Sequence, residues 1–323
     1  MAELINTRVA YGKALVELGR SNPDVVVLSA DVSNSDHSFM FADEFPDRFI
    51  NTGIAEQSLV DCAVGLALAG KIPFVNTFGV FLATRAVEMI RTHVCYGRAN
   101  VKLMAAYGGV SPSFEGPTHH ATEDIAIMRT FPGMRVVVPA DPYAQTELLH
   151  QVAASDGPVY FRMNRNEVPP VYGTGDAGPA GALQLGRAQV VRAGSDLTIV
   201  AAGVMVARAV AAAAQLAGEG VQCRVIDLHT IKPLDADTLA AAARDTGAVV
   251  TAEEHNIIGG LGGAVTEALA ETCPVPVVRV GIADRFTESG PYFDLLDRHG
   301  CSTADVLASA RRALALKARA RRS

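Results

Sequence analysis

Short apolar runs alternate with longer amphipathic segments along the first half of the chain. The runs at 24–30, 72–76, 101–106, 135–138 and 158–161 are rich in Val, Ile and Leu and nearly continuous, the pattern of parallel strands covered on both faces. Helical spacing falls between them, at 5–20, 56–70, 79–95, 122–130 and 142–154. Asp141 followed by Pro142 reads as an N-cap with proline in the first turn. Across 168–186 no period survives, and Pro and Gly dominate 168–181, which reads as a linker. Alternation resumes with strands near 188–192, 197–201, 222–227, 247–252 and 276–280, and helices near 204–217, 235–244, 261–272 and 303–319. The pattern predicts an α/β protein of two parallel-sheet domains, 1–167 and 187–323, joined by the linker.

Composition narrows the class. Of 323 residues, 49% are hydrophobic and 19% charged, enough to bury a core and too apolar for a disordered chain. The net charge of −6 leaves no electrostatic footprint for nucleic acid. The basic run Arg311, Arg312, Lys317, Arg319, Arg321 and Arg322 reads as a solvated helix end. No uncharged apolar stretch of about 20 residues suggests a membrane span, and the N-terminus lacks the apolar core of a signal peptide. The five cysteines are scattered without a CxxC pair, which fits reduced thiols in a cytoplasmic protein.

Several tempting motifs carry little. The glycine-rich segment 258–264 lacks the spacing of a dinucleotide loop and reads as close backbone packing at a helix start. There is no phosphate loop of the G-x-x-x-x-G-K-[ST] type and no G-x-S-x-G elbow. His119 and His120 are adjacent and have no third partner at zinc-like spacing, so no metal site is expected.

Three segments are better candidates. Glu56 follows a strand end and a glycine turn and stands at the start of a long apolar helix, where a carboxylate can be a simple cap. Phe78 and Phe81 share one face of a helix start, as core residues or as the wall of a flat ligand. The Gly/Pro/Ser-rich loop 107–120 follows the third strand, on the side where parallel sheets place their sites.

In this order and spacing the three segments resemble the C-terminal two-thirds of transketolase and its thiamine diphosphate relatives, deoxyxylulose phosphate synthase and the β subunit of 2-oxoacid dehydrogenases. The resemblance covers nearly the whole chain. Residues 1–167 resemble the pyrimidine-binding (PYR) domain. Residues 187–323 resemble the transketolase C-terminal domain, with 225–234, 253–260 and 284–290 as markers. The resemblance implies that Glu56 hydrogen-bonds N1′ of the cofactor's aminopyrimidine and so promotes loss of the thiazolium C2 proton. Phe78 and Phe81 match the aromatic wall, Thr84 stands where its third aromatic is expected, and Arg85 and Asp31 join the cofactor set. His119 matches a histidine that reaches the substrate's oxygens. Glu115 replaces the usual Asp four residues earlier. Arg8 and Arg165 match arginines that hold a sugar phosphate, Ser33 or Ser35 the accompanying serine, and Tyr107 stands in place of a histidine.

The Gly-Asp-Gly loop that would hold the diphosphate and Mg²⁺ is missing from the sequence. The resemblance therefore implies a partner, an N-terminal subunit carrying the diphosphate-binding (PP) domain, in an α₂β₂ assembly. The leading expectation is the small subunit of a split transketolase, moving a two-carbon ketol unit from a ketose phosphate to an aldose. A 2-oxoacid dehydrogenase E1 β subunit, a deoxyxylulose phosphate synthase fragment and a non-catalytic structural subunit are the alternatives.

Overall fold

A computed structural model describes residues 4–173 and 183–320; the centre of the expected linker and the last two arginines of the basic run lie outside them. The first half contains β1 (Ile5–Asn6), α1 (Thr7–Ser21), β2 (Val25–Ser29), α2 (Ser33–Asp36), α3 (Phe39–Glu44), β3 (Phe49–Asn51), α4 (Glu56–Leu68) and β4 (Ile72–Phe78). It continues through α5 (Gly79–Thr84), α6 (Val87–Met89), β5 (Lys102–Ala106), α7 (Asp124–Thr130), β6 (Arg135–Val137), α8 (Pro142–Ala154), β7 (Val159–Arg162) and β8 (Glu167–Val168). The second half contains β9 (Gln189–Arg192), β10 (Leu197–Ala201), α9 (Met205–Gly218), β11 (Cys223–Asp227), β12 (Thr230–Lys232), α10 (Ala236–Thr246) and β13 (Val249–Asn256). It ends with α11 (Leu261–Thr272), β14 (Val277–Ile282), α12 (Tyr292–Arg298) and α13 (Thr303–Ala320).

The sheets are parallel through their centres, as expected, because β2, β5 and β10 are buried at every residue and need cover on both faces. Their order is β12-β6-β7-β5-β4-β2-β3 in the first and β14-β13-β10-β11-β9 in the second. Each carries one antiparallel edge strand, β12 against β6 and β9 against β11. The first of these crosses between the halves: β12 comes from the second half and completes the first sheet, with the Val138 N–H donating to the His229 carbonyl at 2.7 Å. The Lys232 ammonium then donates to the carbonyls of Arg129 and Phe131. Among the described residues no helix is long and apolar enough to cross a membrane.

The expected helix over 79–95 is not continuous. It breaks after α5, and residues Ile90–Tyr96 form a π-helical turn. The Phe81 carbonyl accepts from both Arg85 and Ala86, so the turn widens there, and the Thr84 hydroxyl bonds back to the Val80 carbonyl at 2.7 Å, a contact that bends helices. Such widened turns recur at functional sites. Asp141 does cap α8, one oxygen accepting from the Ala144 N–H. Its second oxygen accepts from the N–H groups of Val171 and Tyr172, which ties down the start of the expected linker.

The glycines at 258–264 are packed as expected. The Glu253 carboxylate accepts from the N–H groups of Leu261 and Gly262, capping α11 from the preceding strand. A Cβ on Gly260 would lie 2.0 Å from Glu253 Oε2. Gly260→Ala is expected to cost about 1–3 kcal/mol through overpacking, read as a lowered thermal midpoint. An unchanged midpoint would mean that the cap can move aside.

Candidate active site

The candidate residues gather beyond the C-terminal ends of the parallel strands of the first sheet. Asp31 and Ser33 follow β2, Glu56 follows β3, Phe81, Thr84 and Arg85 follow Phe78 at the end of β4, Tyr107, Glu115 and His119 follow β5, and Arg165 follows β7. After β2 the chain adds β3 on one side and β4 on the other. Loops diverge at such a switch point and leave a crevice. Asn6 delivers Arg8 to the same end, its side chain accepting from the Arg8 and Val9 N–H groups to cap α1.

Glu56 is only 5% exposed. It does not act as a side-chain cap: the sole hydrogen bond of its carboxylate among the described residues is from Arg85, whose guanidinium donates to Oε1 at 3.1 Å. Oε2 is left for another donor. The Arg85 guanidinium carbon lies 3.8 Å from the centre of the Phe81 ring. Thr84 is exposed and its hydroxyl is used within its own helix, so it adds nothing to an aromatic wall. Asp31 has a positive φ and exchanges hydrogen bonds with the Asn51 side chain; among the described residues it makes no hydrogen bond or ion pair with Glu56, which is bonded by Arg85.

From Phe81 a line of rings crosses the crevice. Phe81 and Phe78 are 5.9 Å apart, and His119 meets the two edge-on at 5.3 and 5.9 Å. His119 and His120 part company: His120 is buried and bonds to Thr287 and the Ser113 carbonyl, and burial pushes its pKa down to about 4. Tyr107 stacks on Phe78 at 4.5 Å and donates to the Ser35 carbonyl at 3.1 Å. Arg8 donates to that same carbonyl at 3.1 Å. Thus Ser35, through its backbone, is gathered with Arg8 and Tyr107, whereas Ser33 opens α2 without a bond to either. Arg165 lies 5.2 Å from the Tyr107 ring centre and pairs with Glu115 at 3.5 Å.

The pyrimidine binding domain of transketolase matches residues 3–170, and the transketolase C-terminal domain matches residues 186–306. The 6-deoxy-6-sulfo-D-fructose transketolase subunit SqwH of a Clostridium species is 38% identical over 94% of this chain and 92% of its own length. The chain belongs to the transketolase family. An apulose-4-phosphate transketolase subunit from Phocaeicola vulgatus is 39% identical over 93% of this chain and 97% of its own. A solved split gene transketolase, described as an inactive β₄ tetramer, superposes with a TM-score of 0.89 at 49% identity, covering 97% of this chain and 99% of that one. The chain is thus a transketolase-type subunit.

Two carboxyls of this transketolase subunit escape sequence reasoning. Asp36 is 1% exposed and shares a cavity of about 10 Å³, room for about one water, with Arg8, Tyr11, Tyr107 and Asn164. Its Oδ2 and the Arg8 Nε are both buried without a partner among the described residues. Burial pushes the Asp36 carboxyl up to about 7. It sits in a polar run, Ser-Asn-Ser-Asp, where no spacing marks a buried acid.

The second carboxyl is Glu254, at the end of β13. It accepts from the Val110 N–H and from the Tyr292 hydroxyl, clamping the loop that carries Glu115 and His119. Burial pushes its pKa up to about 7. The folded state therefore holds this proton more tightly than the unfolded chain, so the contribution to stability is full below about pH 4 and is lost as pH rises through about 7. Glu254→Gln is expected to flatten the dependence of unfolding free energy on pH between about 5 and 8. Equal slopes in the two proteins would overturn this reading.

Proposed function

We propose that this chain is the small subunit of a split, thiamine diphosphate-dependent transketolase that moves a two-carbon ketol unit from a ketose to an aldose. The observation that carries the reading is Glu56: a buried carboxylate with one oxygen uncommitted, beside a wall of Phe78 and Phe81, at a strand-end crevice. That set fits the pyrimidine end of the cofactor, which needs an acceptor for a ring nitrogen and flat apolar cover. When bound, the cofactor supplies a carbon nucleophile and an electron sink for carbon–carbon cleavage.

The chain's own residues then have separate tasks. Glu56 holds the proton shared with N1′, and the hydrogen bond from Arg85 keeps its carboxylate oriented. Phe78 and Phe81 exclude water from the ring face. His119, edge-on to both rings, donates to the substrate's oxygens and moves protons there. Arg8 and Arg165, with Tyr107, Glu115 and Ser33 or Ser35, receive the sugar's far end. Asp31 and Thr84 are assigned to the border of the cofactor pocket, where neither shares a hydrogen bond with Glu56 among the described residues.

The diphosphate and its Mg²⁺ fall to an N-terminal PP-domain subunit, in an α₂β₂ assembly that closes around the twofold axis, in the cytoplasm. The relative described as an inactive β₄ tetramer supports a requirement for that second polypeptide. The test is to assay the chain alone and co-purified with a polypeptide carrying Gly-Asp-Gly and a following Asn. Cofactor-dependent ketol transfer only in the complex is expected. Transfer by the chain alone overturns the split site, and 2-oxoacid decarboxylation without ketol transfer identifies a dehydrogenase subunit instead.

A further inference from the structure

Resting on that functional reading, the geometry points to Glu115 as a specificity-determining residue that tunes the sugar end of the site to a donor whose far end carries at most one negative charge. Both arginines at that end have a carboxyl beside them. Arg165 is paired by Glu115 at 3.5 Å, and Arg8 shares a buried cavity with Asp36. The Glu115 carboxylate offsets one of the two guanidinium charges, and Asp36, whose carboxyl burial pushes up to about 7, offsets the other only in part, so the cluster suits one negative charge better than two. Tyr107, which shares the Ser35 carbonyl with Arg8 and adjoins Arg165, adds no cation, and its hydroxyl is spent on that carbonyl.

A phosphate dianion entering here would displace the Glu115 carboxylate from Arg165 or sit beside it, and like charges at such range repel appreciably even near a surface. A hydroxyl or a monoanion such as a sulfonate meets no such conflict. A hydroxyl can donate to Glu115, and a monoanion can take the guanidinium edge that remains. Arg165 Nε is buried with no partner among the described residues, so the ion pair with Glu115 does not exhaust this guanidinium. Glu115 and Arg165 are each about one-third exposed, so the pair can open when a ligand arrives and therefore acts on selectivity rather than on folding.

The experiment measures kcat/KM for three donor ketoses in the reconstituted complex, ending in a hydroxyl, a sulfonate or a phosphate, with the wild-type chain, E115Q and E115D. The wild type is expected to use the hydroxyl- or sulfonate-ended donor at least as well as the phosphate-ended one. E115Q is expected to raise the phosphate-to-hydroxyl ratio by about tenfold, mainly through KM, and E115D, which keeps the charge, to leave that ratio within about threefold of the wild type whatever its overall activity. A wild-type preference for the phosphate over both other donors, or an unchanged ratio in E115Q, overturns the inference while leaving the functional reading intact. Failure to transfer from any of the three donors, with cofactor present, overturns the functional reading as well.

Discussion

Glu56→Gln is expected to lower turnover of the reconstituted complex by about 10²–10⁴-fold, the range lost when a positioned acid or base is removed. Gln fills nearly the same volume and still accepts from Arg85, so the fold has little reason to change. The ion pair it loses is modest, because the Arg85 side chain is 49% exposed and exposed pairs contribute little. What disappears is a carboxyl that can hold a proton at a ring nitrogen. The decisive comparison is kcat against thermal midpoint in the same preparation. A large fall in kcat with an unchanged midpoint supports the catalytic assignment, and near-wild-type kcat sinks it.

Arg162→Met is expected to have the largest effect on stability. The Arg162 side chain is 5% exposed and pairs at 2.8 Å with Asp124, which is 1% exposed. Arg162 also donates to the carbonyls of Ala121 and Glu254, and the Tyr160 hydroxyl donates to the same Asp124 oxygen. Removing the cation alone strands a buried carboxylate, which costs about 3–5 kcal/mol. Urea unfolding should register that loss. Removing both charges, with Arg162→Met and Asp124→Leu together, should cost less than Arg162→Met alone, since Asp124 is then no longer stranded, although Glu254 still loses the nearby cation. A single-variant loss under about 1 kcal/mol would show that water reaches Asp124.

Much of this was legible in the sequence because the central strands are uninterrupted runs of branched apolar residues. The five first-half runs became β2, β4, β5, β6 and β7 within a residue or two. What was not legible depends on neighbours distant in the chain. The strand Thr230–Lys232 is too short to show a period and exists because β6 offers it an open edge. The helix at 79–95 has a continuous apolar pattern, and only the competing bonds at Phe81 and Thr84 break it. At the candidate site, Phe78, Phe81, His119 and Glu56 could be singled out because the segments that carry them resemble transketolase in order and spacing. Asp36 and Glu254 were not, since the burial of a carboxyl is decided by what packs over it.

The strand that the second half lends to the first sheet also limits how such a chain can be recombined. A chimera joined at the linker would set a foreign Thr230–Lys232 edge against the resident β6 and a foreign Glu254 against the resident Val110 loop. The exchangeable unit is therefore neither half alone. Any shuffling between relatives that respects the fold must carry β6, the 107–122 loop and the whole second half together, so that boundaries drawn along the sequence and seams in the folded object do not coincide.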